Sequence, residues 1–426
     1  VRALVLDGDA RSALAVTRSL GGAGVAVTIA AAAPRSLAGA SRHAAARLVL
    51  PDPDRAPEAL AAALVELSRR WQGDLWLPVT DASLSVVDGA RQALGDVVLP
   101  FPPSDVLALA WDKARLLDLA RAAGVPCPLT HAPEDVDAVR ALAADLEYPV
   151  VLKPRHSRWR RAGVLVQGLV SEVDSAATLP GAWLEAHRAV PRPLIQERIP
   201  GHGLGLFVLA DRGRIIARFA HRRLREKPPT GGVSVLRESI AVPDLLRQPA
   251  ARLLESLAWH GVCMIEFRVD ARDGTPYLME INPRFWGSLQ LAIDAGVDFP
   301  RLLYELASGH TPDPVESYRL GVRSRWLLGD LDHLLIRLRH RHERAALPPA
   351  LPGLGRAILD FLDPRAGRLE VQRLDDPGPG RYELASYLRQ LCRRPEPSGR
   401  VTHDPDAVVG GAGQDGASPG ARQRCG

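Results

Sequence analysis

Lysine and asparagine are nearly missing from this chain. Among 426 residues, lysine stands only at Lys113, Lys153 and Lys227, and asparagine only at Asn282. A coding bias that exchanges these residues wherever Arg, Asp or Gly will serve accounts for the shortage. It also marks the four survivors as positions where the substitute fails. Cysteine is sparse too: Cys127, Cys263, Cys392 and Cys425 lie too far apart for a disulfide framework or a zinc spacing. Cys263 reads as small core filling. Aromatics make up 5% of the chain, and few are interleaved with the arginine clusters at 158–161, 222–225 and 338–344. That disfavours a nucleic-acid-reading surface, and a phosphate-holding cleft accounts for the net charge of +5 at least as well. No apolar run is long enough to span a bilayer, and no charged signal segment precedes the first strand, so no membrane contact and a cytoplasmic location are expected. No internal repeat is visible.

What is present is an α/β alternation. Over residues 1–110, strands are expected at 3–6, 25–30, 47–50, 75–79 and 97–99, with helices at 11–20, 57–70 and 81–94. This pattern is a doubly wound domain with a parallel sheet. Its first turn, Asp7-Gly8-Asp9, lacks the glycine spacing of a dinucleotide fingerprint, which disfavours a nicotinamide-dependent oxidoreductase. Asp81 follows a strand; it either caps the next helix, the reading preferred here, or lines a cleft at the strand's carboxyl end. A helix over 111–123 carries Lys113 and stops at Gly124. Residues 128–200 read as a small α+β lobe with strands at 150–153, 164–168 and 193–197 and helices at 134–146 and 172–187. Residues 201–310 read as a larger lobe. An extension of open role follows at 311–392, with a strand near 322–327 and a helix at 330–341, and then a Pro/Gly/Ser/Asp-rich tail, 393–426, expected to be disordered.

The stretch 261–289 organises the rest. It reads as two strands, 264–269 and 277–282, around an Asp273-Gly274 turn, with Gly274 left-handed and Ala271 pairing Thr275. That register sets Phe267 opposite Met279 and Glu266 opposite Glu280. Alternation then places Ile265, Phe267, Val269, Tyr277, Met279 and Ile281 on an apolar face, and Glu266, Arg268, Glu280 and Asn282 on the other. Two carboxylates facing across a ladder, roughly 5 Å apart, repel. A hard divalent cation reverses that sign, and Glu and Asn oxygens suit magnesium. The alternative is an ordinary solvated hairpin face.

The run Met279-Glu280-Ile281-Asn282-Pro283-Arg284 resembles the metal-binding motif of the ATP-grasp superfamily, which includes biotin carboxylase and carbamoyl-phosphate synthetase. Trp111-Asp112-Lys113, the run YPVVLKP at 148–154 and the run QERIPG at 196–201 match further motifs in the same order, over about residues 1–310. The resemblance implies a leading α/β domain followed by two α+β lobes that clamp a nucleotide. It implies ATP held by Lys113 and Lys153, with Gln196, Glu197 and backbone near Ile199 at the adenine. Relatives place an acidic residue after the hinge for the ribose; here His202 stands nearby and no acid follows until Asp211. Glu266, Glu280 and Asn282 are the implied ligands of one or two Mg ions, with Mn also suitable. Arg284 is implied to stabilise the transferring phosphoryl group, and Lys227 and Arg225 to lie near the γ-phosphate or a substrate carboxylate. Where relatives carry a glycine-rich phosphate loop, residues 154–163 carry Arg155, Arg158, Arg160 and Arg161, which either clamp phosphate or form a solvated turn. His221 reads as a satisfied strand histidine, and Phe285 and Trp286 as packing. The implied activity is an ATP-dependent ligase that activates a small-molecule carboxylate as an acyl phosphate for attack by an amine, with room for a homodimer. The alternatives are a kinase of the same fold, or a nucleotide-binding protein without turnover.

Overall fold

A computed structural model describes residues 1–161, 164–229, 232–339 and 351–392. The tail 393–426 and Gly231 lie outside the described residues, as do the side chains of Arg158, Arg160 and Arg161.

The chain opens with four parallel strands, β1 (Ala3–Val5), β2 (Val27–Ala31), β3 (Ala46–Val49) and β4 (Leu75–Leu77), in the order β3-β2-β1-β4. The expected fifth strand at 97–99 is reduced to one parallel bridge, Leu75 to Val98. Both faces of β1 are buried, as βαβ crossovers require. Ala3 and Val5 pack with α1 (Arg11–Gly22), whereas Leu4 and Leu6 pack with α2 (Pro57–Ser68) and α3 (Asp81–Ala90). The α3 cap is Thr80, whose side chain accepts from Ser83 N. Asp81 is therefore not the cap, contrary to expectation, and its carboxylate is available elsewhere. Asp7, at φ 58°, accepts from the Val79 and Thr80 amides and the Ser83 hydroxyl, tying the first turn to the start of α3.

The expected helix over 111–123 is broken. α4 (Ser104–Trp111) ends where Asp112 turns extended, and Asp112 then caps α5 (Lys113–Ala122) by accepting from the Ala114 and Arg115 amides. Next comes a four-stranded antiparallel sheet in the order β5-β10-β6-β9. It is made of β5 (Thr130–His131), β6 (Val150–Lys153), β9 (Ser171–Val173) and β10 (Leu194–Glu197), with β7 (Arg158–Arg161) and β8 (Val164–Gln167) as a separate hairpin. Helices α6 (Val136–Ala143) and α7 (Leu179–Ala189) cover one face through Val139, Leu179 and Trp183. The helix expected from 172 starts only at Leu179, because residues 171–173 pair with β6 and Pro180 sits in the first turn.

The third sheet has seven strands in the order β15-β14-β11-β12-β13-β16-β17. They are β11 (Gly201–Asp211), β12 (Arg214–Lys227), β13 (Val233–Ile240), β14 (Gly261–Asp270), β15 (Pro276–Asn282), β16 (Arg323–Arg325) and β17 (Arg368–Leu369). One face carries Leu206, Val208, Ile265 and Phe267 against α5 and α8 (Asp244–Ser256). The other carries Phe207, Leu209 and Phe219 against α9 (Leu289–Ala295) and α10 (Phe299–Ala307). The last two strands come from the C-terminal extension, which also contributes α11 (Leu327–Arg339), α12 (Leu354–Leu362) and α13 (Pro377–Cys392). Buried Glu370 there pairs with Arg11 of α1 and Arg237 of β13, at 3.1 and 2.5 Å, so the extension fastens the first sheet to the third.

Candidate active site

The β14–β15 hairpin sets Glu266 opposite Glu280 and Met264 opposite Asn282. Gly274 is left-handed at φ 78°, as the turn requires, but Thr275 O accepts from Asp270 rather than pairing with Ala271. A bulge next to Glu266 accounts for the shift. Phe267 pairs with Leu278, so Met279 is the extra residue. Leu278 takes the core position, and Met279 and Tyr277 are only part-buried, correcting the expected apolar face. Met279 Sδ instead lies 3.4 Å from Lys153 Nζ.

Cations surround buried Glu280 and part-buried Glu266. Lys113 opens α5 and reaches Glu280 Oε2 at 3.2 Å and the Ser157 hydroxyl at 2.5 Å. Its turn is locked from outside: Arg155 grips Asp112 with two hydrogen bonds (2.9 and 2.8 Å), and Arg155 O accepts from Lys113 N. Arg155 thus positions Lys113 rather than clamping phosphate in the structure as it stands. Lys153 ends β6, and burial pushes its ammonium down to about 8, against the opposing pull of Glu280. Arg223, on β12, lies 3.5 Å from Glu266 and 3.1 Å from Glu226.

The two carboxylates differ in titration although they face one another. Burial raises the Glu266 carboxyl, and the neighbouring Glu280 adds to this, beyond what Arg223 offsets. Burial raises Glu280 too, but Lys113, the Asn282 amide and Lys153 outweigh it and hold the group below its ordinary value. Asn282 donates Nδ2 to Glu280 Oε1 at 3.1 Å. Because a carboxylate only accepts, the Asn282 carbonyl oxygen is the atom left for a cation. Among the described residues no group of three His, Cys, Asp or Glu side chains is placed to hold a metal. Two carboxylates and one amide oxygen form an all-oxygen set that suits a hard ion whose remaining ligands come from phosphate and water.

Beyond the hairpin, Arg284 is buried and donates Nε to Asp81 Oδ2 at 2.9 Å and Nη1 to Phe285 O at 3.1 Å. The leading domain thus holds the arginine that follows the carboxylates. On the middle sheet Gln196 pairs across from Val151 and shares the face of Lys153, while its amide donates to Thr130 Oγ1. Glu197 falls on the opposite face and accepts from Leu129 N at 3.2 Å. Ile199 is buried, its carbonyl accepting from Arg268 Nε at 2.6 Å, and His202 is exposed. Arg225 and Lys227 are not brought to the carboxylates. They pair with Asp330 (3.0 Å) and Asp332 (2.9 Å) on α11. His221 is buried against Phe207, with Nε2 2.8 Å from the Ser288 hydroxyl, and burial keeps it neutral well below its usual range. Arg223, Ser157 and Met279 were not singled out beforehand. Arg223 was hidden in a run of like charges, and Met279 was misplaced by a bulge that leaves no sequence signal.

A family model described as ATP-grasp in the biosynthetic pathway with Ter operon matches residues 189–328. The D-alanine–D-alanine ligase of Thermoanaerobacter sp. (strain X514) is 26% identical over 249 residues. That match covers 51% of this chain and 66% of the ligase, so the chain spans about two thirds of that relative's length. The biotin carboxylase–β,γ-ATP complex from Campylobacter jejuni superposes with a TM-score of 0.60 at 18% identity, over 76% of this chain and 74% of that one. The biotin carboxylase domain of the Hydrogenobacter thermophilus 2-oxoglutarate carboxylase, solved with MgADP, ADP and bicarbonate, gives 0.59 at 17% identity over 76% and 73%. The parallel α/β sheet followed by two antiparallel sheets is the fold these structures share with this chain.

Proposed function

On the premise that this chain is an ATP-grasp protein, we propose that it is an ATP- and magnesium-dependent ligase joining a small-molecule carboxylate to an amine. The observation that carries the reading is the Glu266–Glu280 pair, Glu280 buried and Glu266 part-buried, faced across one ladder and ringed by Lys113, Lys153 and Asn282. Two like charges facing each other at roughly 5 Å, one buried and one only partly exposed, are unfavourable for folding by themselves, and a cation-bound phosphate chain gives them a use.

Glu266, Glu280 and the Asn282 carbonyl would hold the ion. When bound, magnesium would supply charge neutralisation on the phosphate chain. Lys113 and Lys153 would hold the phosphate chain from the side of β6 and α5. Gln196, Glu197, Ile199 and His202 line the strand and turn between the middle and third sheets and would flank the base and ribose. Arg284, oriented by Asp81, would meet the charge that develops as the γ-phosphoryl group passes to a carboxylate oxygen. The resulting acyl phosphate would then be opened by the amine, releasing phosphate. The first step joins two anions, so its rate rests on positioning and neutralisation; in the second a neutral amine attacks, and its proton is lost as phosphate leaves.

The test is ADP release from ATP and magnesium, with a mixture of amino acids as acids and amines, by wild type and by Glu280→Gln with Asn282→Ala. Amino-acid-dependent ADP release with an amide product, abolished by the double substitution, is the expected result. Release accompanied by a stable phosphorylated product would make the protein a kinase. ATP binding indifferent to magnesium and to both substitutions would leave the hairpin purely structural and end the ligase reading.

A further inference from the structure

A second cavity lies on the far side of the third sheet. Its volume is about 330 Å³, and its walls are β12, β13, β16, α11 and α12. The register places it away from the carboxylates. Arg223 pairs across from Arg237, and Arg237 from Ser324, so these three share the face that holds Glu266. Leu236, which pairs with Arg325, and Arg323 alternate to the opposite face, and Leu236 and Arg323 line the cavity.

Two residues of its wall, Arg225 and His333, carry buried polar atoms without partners. His333 is 3% exposed. Its Nδ1 lies 2.5 Å from Glu226 O, and a carbonyl only accepts, so Nδ1 carries the proton and Nε2 is an acceptor. Nε2 is buried and has no partner. Opposite in character is Arg225. Its Nε approaches Asp330 Oδ1 at 3.0 Å without hydrogen-bond geometry, and its buried Nη2 has no acceptor. Burial lowers the guanidinium, and neighbouring Arg325 and Arg337 lower it further against Asp330 and Asp360. Unmade buried hydrogen bonds of this kind are unfavourable, and a ligand that supplies the missing partners removes that cost. Leu224, Leu334, Phe361 and Ala357 supply the apolar part of the wall.

We propose that this cavity is an accessory binding site for a small carboxylate with an apolar body and one N–H donor, such as an N-acylated amino acid. The carboxylate meets Arg225, the N–H meets His333 Nε2, and the apolar side chain lies against Leu334 and Phe361. The volume lies at the small end of ligand cavities, which matches a molecule of this size. Occupancy has a path to the other face of the sheet: His333 holds Glu226 O, and the Glu226 carboxylate holds Arg223, which holds Glu266. The site stands on its own geometry and does not depend on the ligase reading.

The test is calorimetric titration of the full chain with N-acetyl-leucine, with N-acetyl-leucine amide as the uncharged control. Wild type is expected to saturate with a Kd on the order of 1 mM or tighter. Arg225→Met should weaken binding about tenfold, as loss of a charged hydrogen-bonding partner implies. His333→Phe should do the same, the amide should bind weakly, and Glu280→Gln should leave the Kd unchanged. Should Arg225→Met fail to fold, Ala357→Met, which narrows the cavity without touching a charge, takes its place. Absence of saturation in wild type overturns the proposal. So does binding that survives both Arg225→Met and Ala357→Met, and so does binding lost in Glu280→Gln, which would place the ligand in the phosphate cleft.

Discussion

Replacing each of the two facing carboxylates by its amide should move thermal stability in opposite directions. At an effective dielectric of about 20, Lys113 at 3.2 Å gives Glu280 roughly 5 kcal/mol of gross attraction. Arg223 at 3.5 Å gives Glu266 about the same, but that guanidinium also serves Glu226. The mutual repulsion, at roughly 5 Å, removes about 3 kcal/mol from whichever group ionises second. Each ion also loses several kcal/mol of hydration on burial, as a rough figure. The Asn282 donor, about 1.5–3 kcal/mol for a bond to a charged group, stands on the Glu280 side alone. The balance leaves ionised Glu280 favourable by about 1–2 kcal/mol and ionised Glu266 unfavourable by about 1 kcal/mol.

The signs agree with the titration of each group. A carboxyl raised in the folded state binds its proton more tightly there than when unfolded, so stability falls as pH rises from the ordinary value of 4.5 through the raised folded value. For Glu280 the folded value is depressed, so its contribution is present above 4.5 and is lost as pH falls through the lower folded value. Near neutral pH, without nucleotide or metal, Glu266→Gln should therefore raise Tm by roughly 2–4 °C and Glu280→Gln should lower it by a similar or larger amount. Both should lose magnesium-dependent ATP binding. Scanning calorimetry and a binding titration on the same preparations decide the matter. Equal Tm losses in both variants, or a larger loss in Glu266→Gln, would refute the assignment of the strained carboxylate.

Lys153 loses its proton near pH 8 in the nucleotide-free protein, so ATP affinity should decline as pH rises past that value. Lys153→Met should bind weakly and show a flat profile in a calorimetric pH series. Arg284→Lys should lower kcat by about 10²–10³ while leaving the KM for ATP near wild type, because the lost contact belongs to the transition state. Asp81→Asn, which removes the charge orienting Arg284, should give a milder version of the same split. Arg155→Met removes two charged hydrogen bonds to Asp112 and should cost about 1.5–3 kcal/mol of stability in denaturant unfolding. An unchanged midpoint would show that Asp112 caps α5 without help.

The parts of the molecule legible from sequence are those governed by local rules. The leading parallel sheet followed from short apolar runs alternating with helical periods. The facing of Glu266 and Glu280 followed from a turn glycine and period-two counting, even though the Thr275 pairing was off by one residue. Counting failed one step further along, at Met279, because a bulge inserts a residue without changing composition. In the C-terminal extension the strand expected near 322–327 and the helix expected at 330–341 correspond to β16 and α11, but β17 and what holds these strands in place were not legible. Its strands β16 and β17 are three and two residues long, and what holds them is pairing with β13 and the buried Arg11–Glu370–Arg237 bridge. Contacts 133 and 359 residues apart in the chain leave no periodicity to read.

Strand β12 shows how a uniform run of charge becomes several distinct functions. Arg222, Arg223, Arg225 and Lys227 look equivalent in sequence, and the resemblance implied that the last two lie near the γ-phosphate or a substrate carboxylate. The sheet sorts them differently. Arg222 and Arg223 are neighbours on an alternating strand, so one goes to Glu238 on the far face and the other to Glu266 on the near face. Register shifts on either side of Arg225 then break the alternation, and α11 presents Asp330 and Asp332 to take Arg225 and Lys227. Only Arg223 reaches the carboxylate pair, and it is the charge that Glu266 depends on. The basic group that reaches the carboxylate pair is thus selected by which face and which partner helix the strand meets, and a helix contributed by residues more than 100 positions downstream makes that selection.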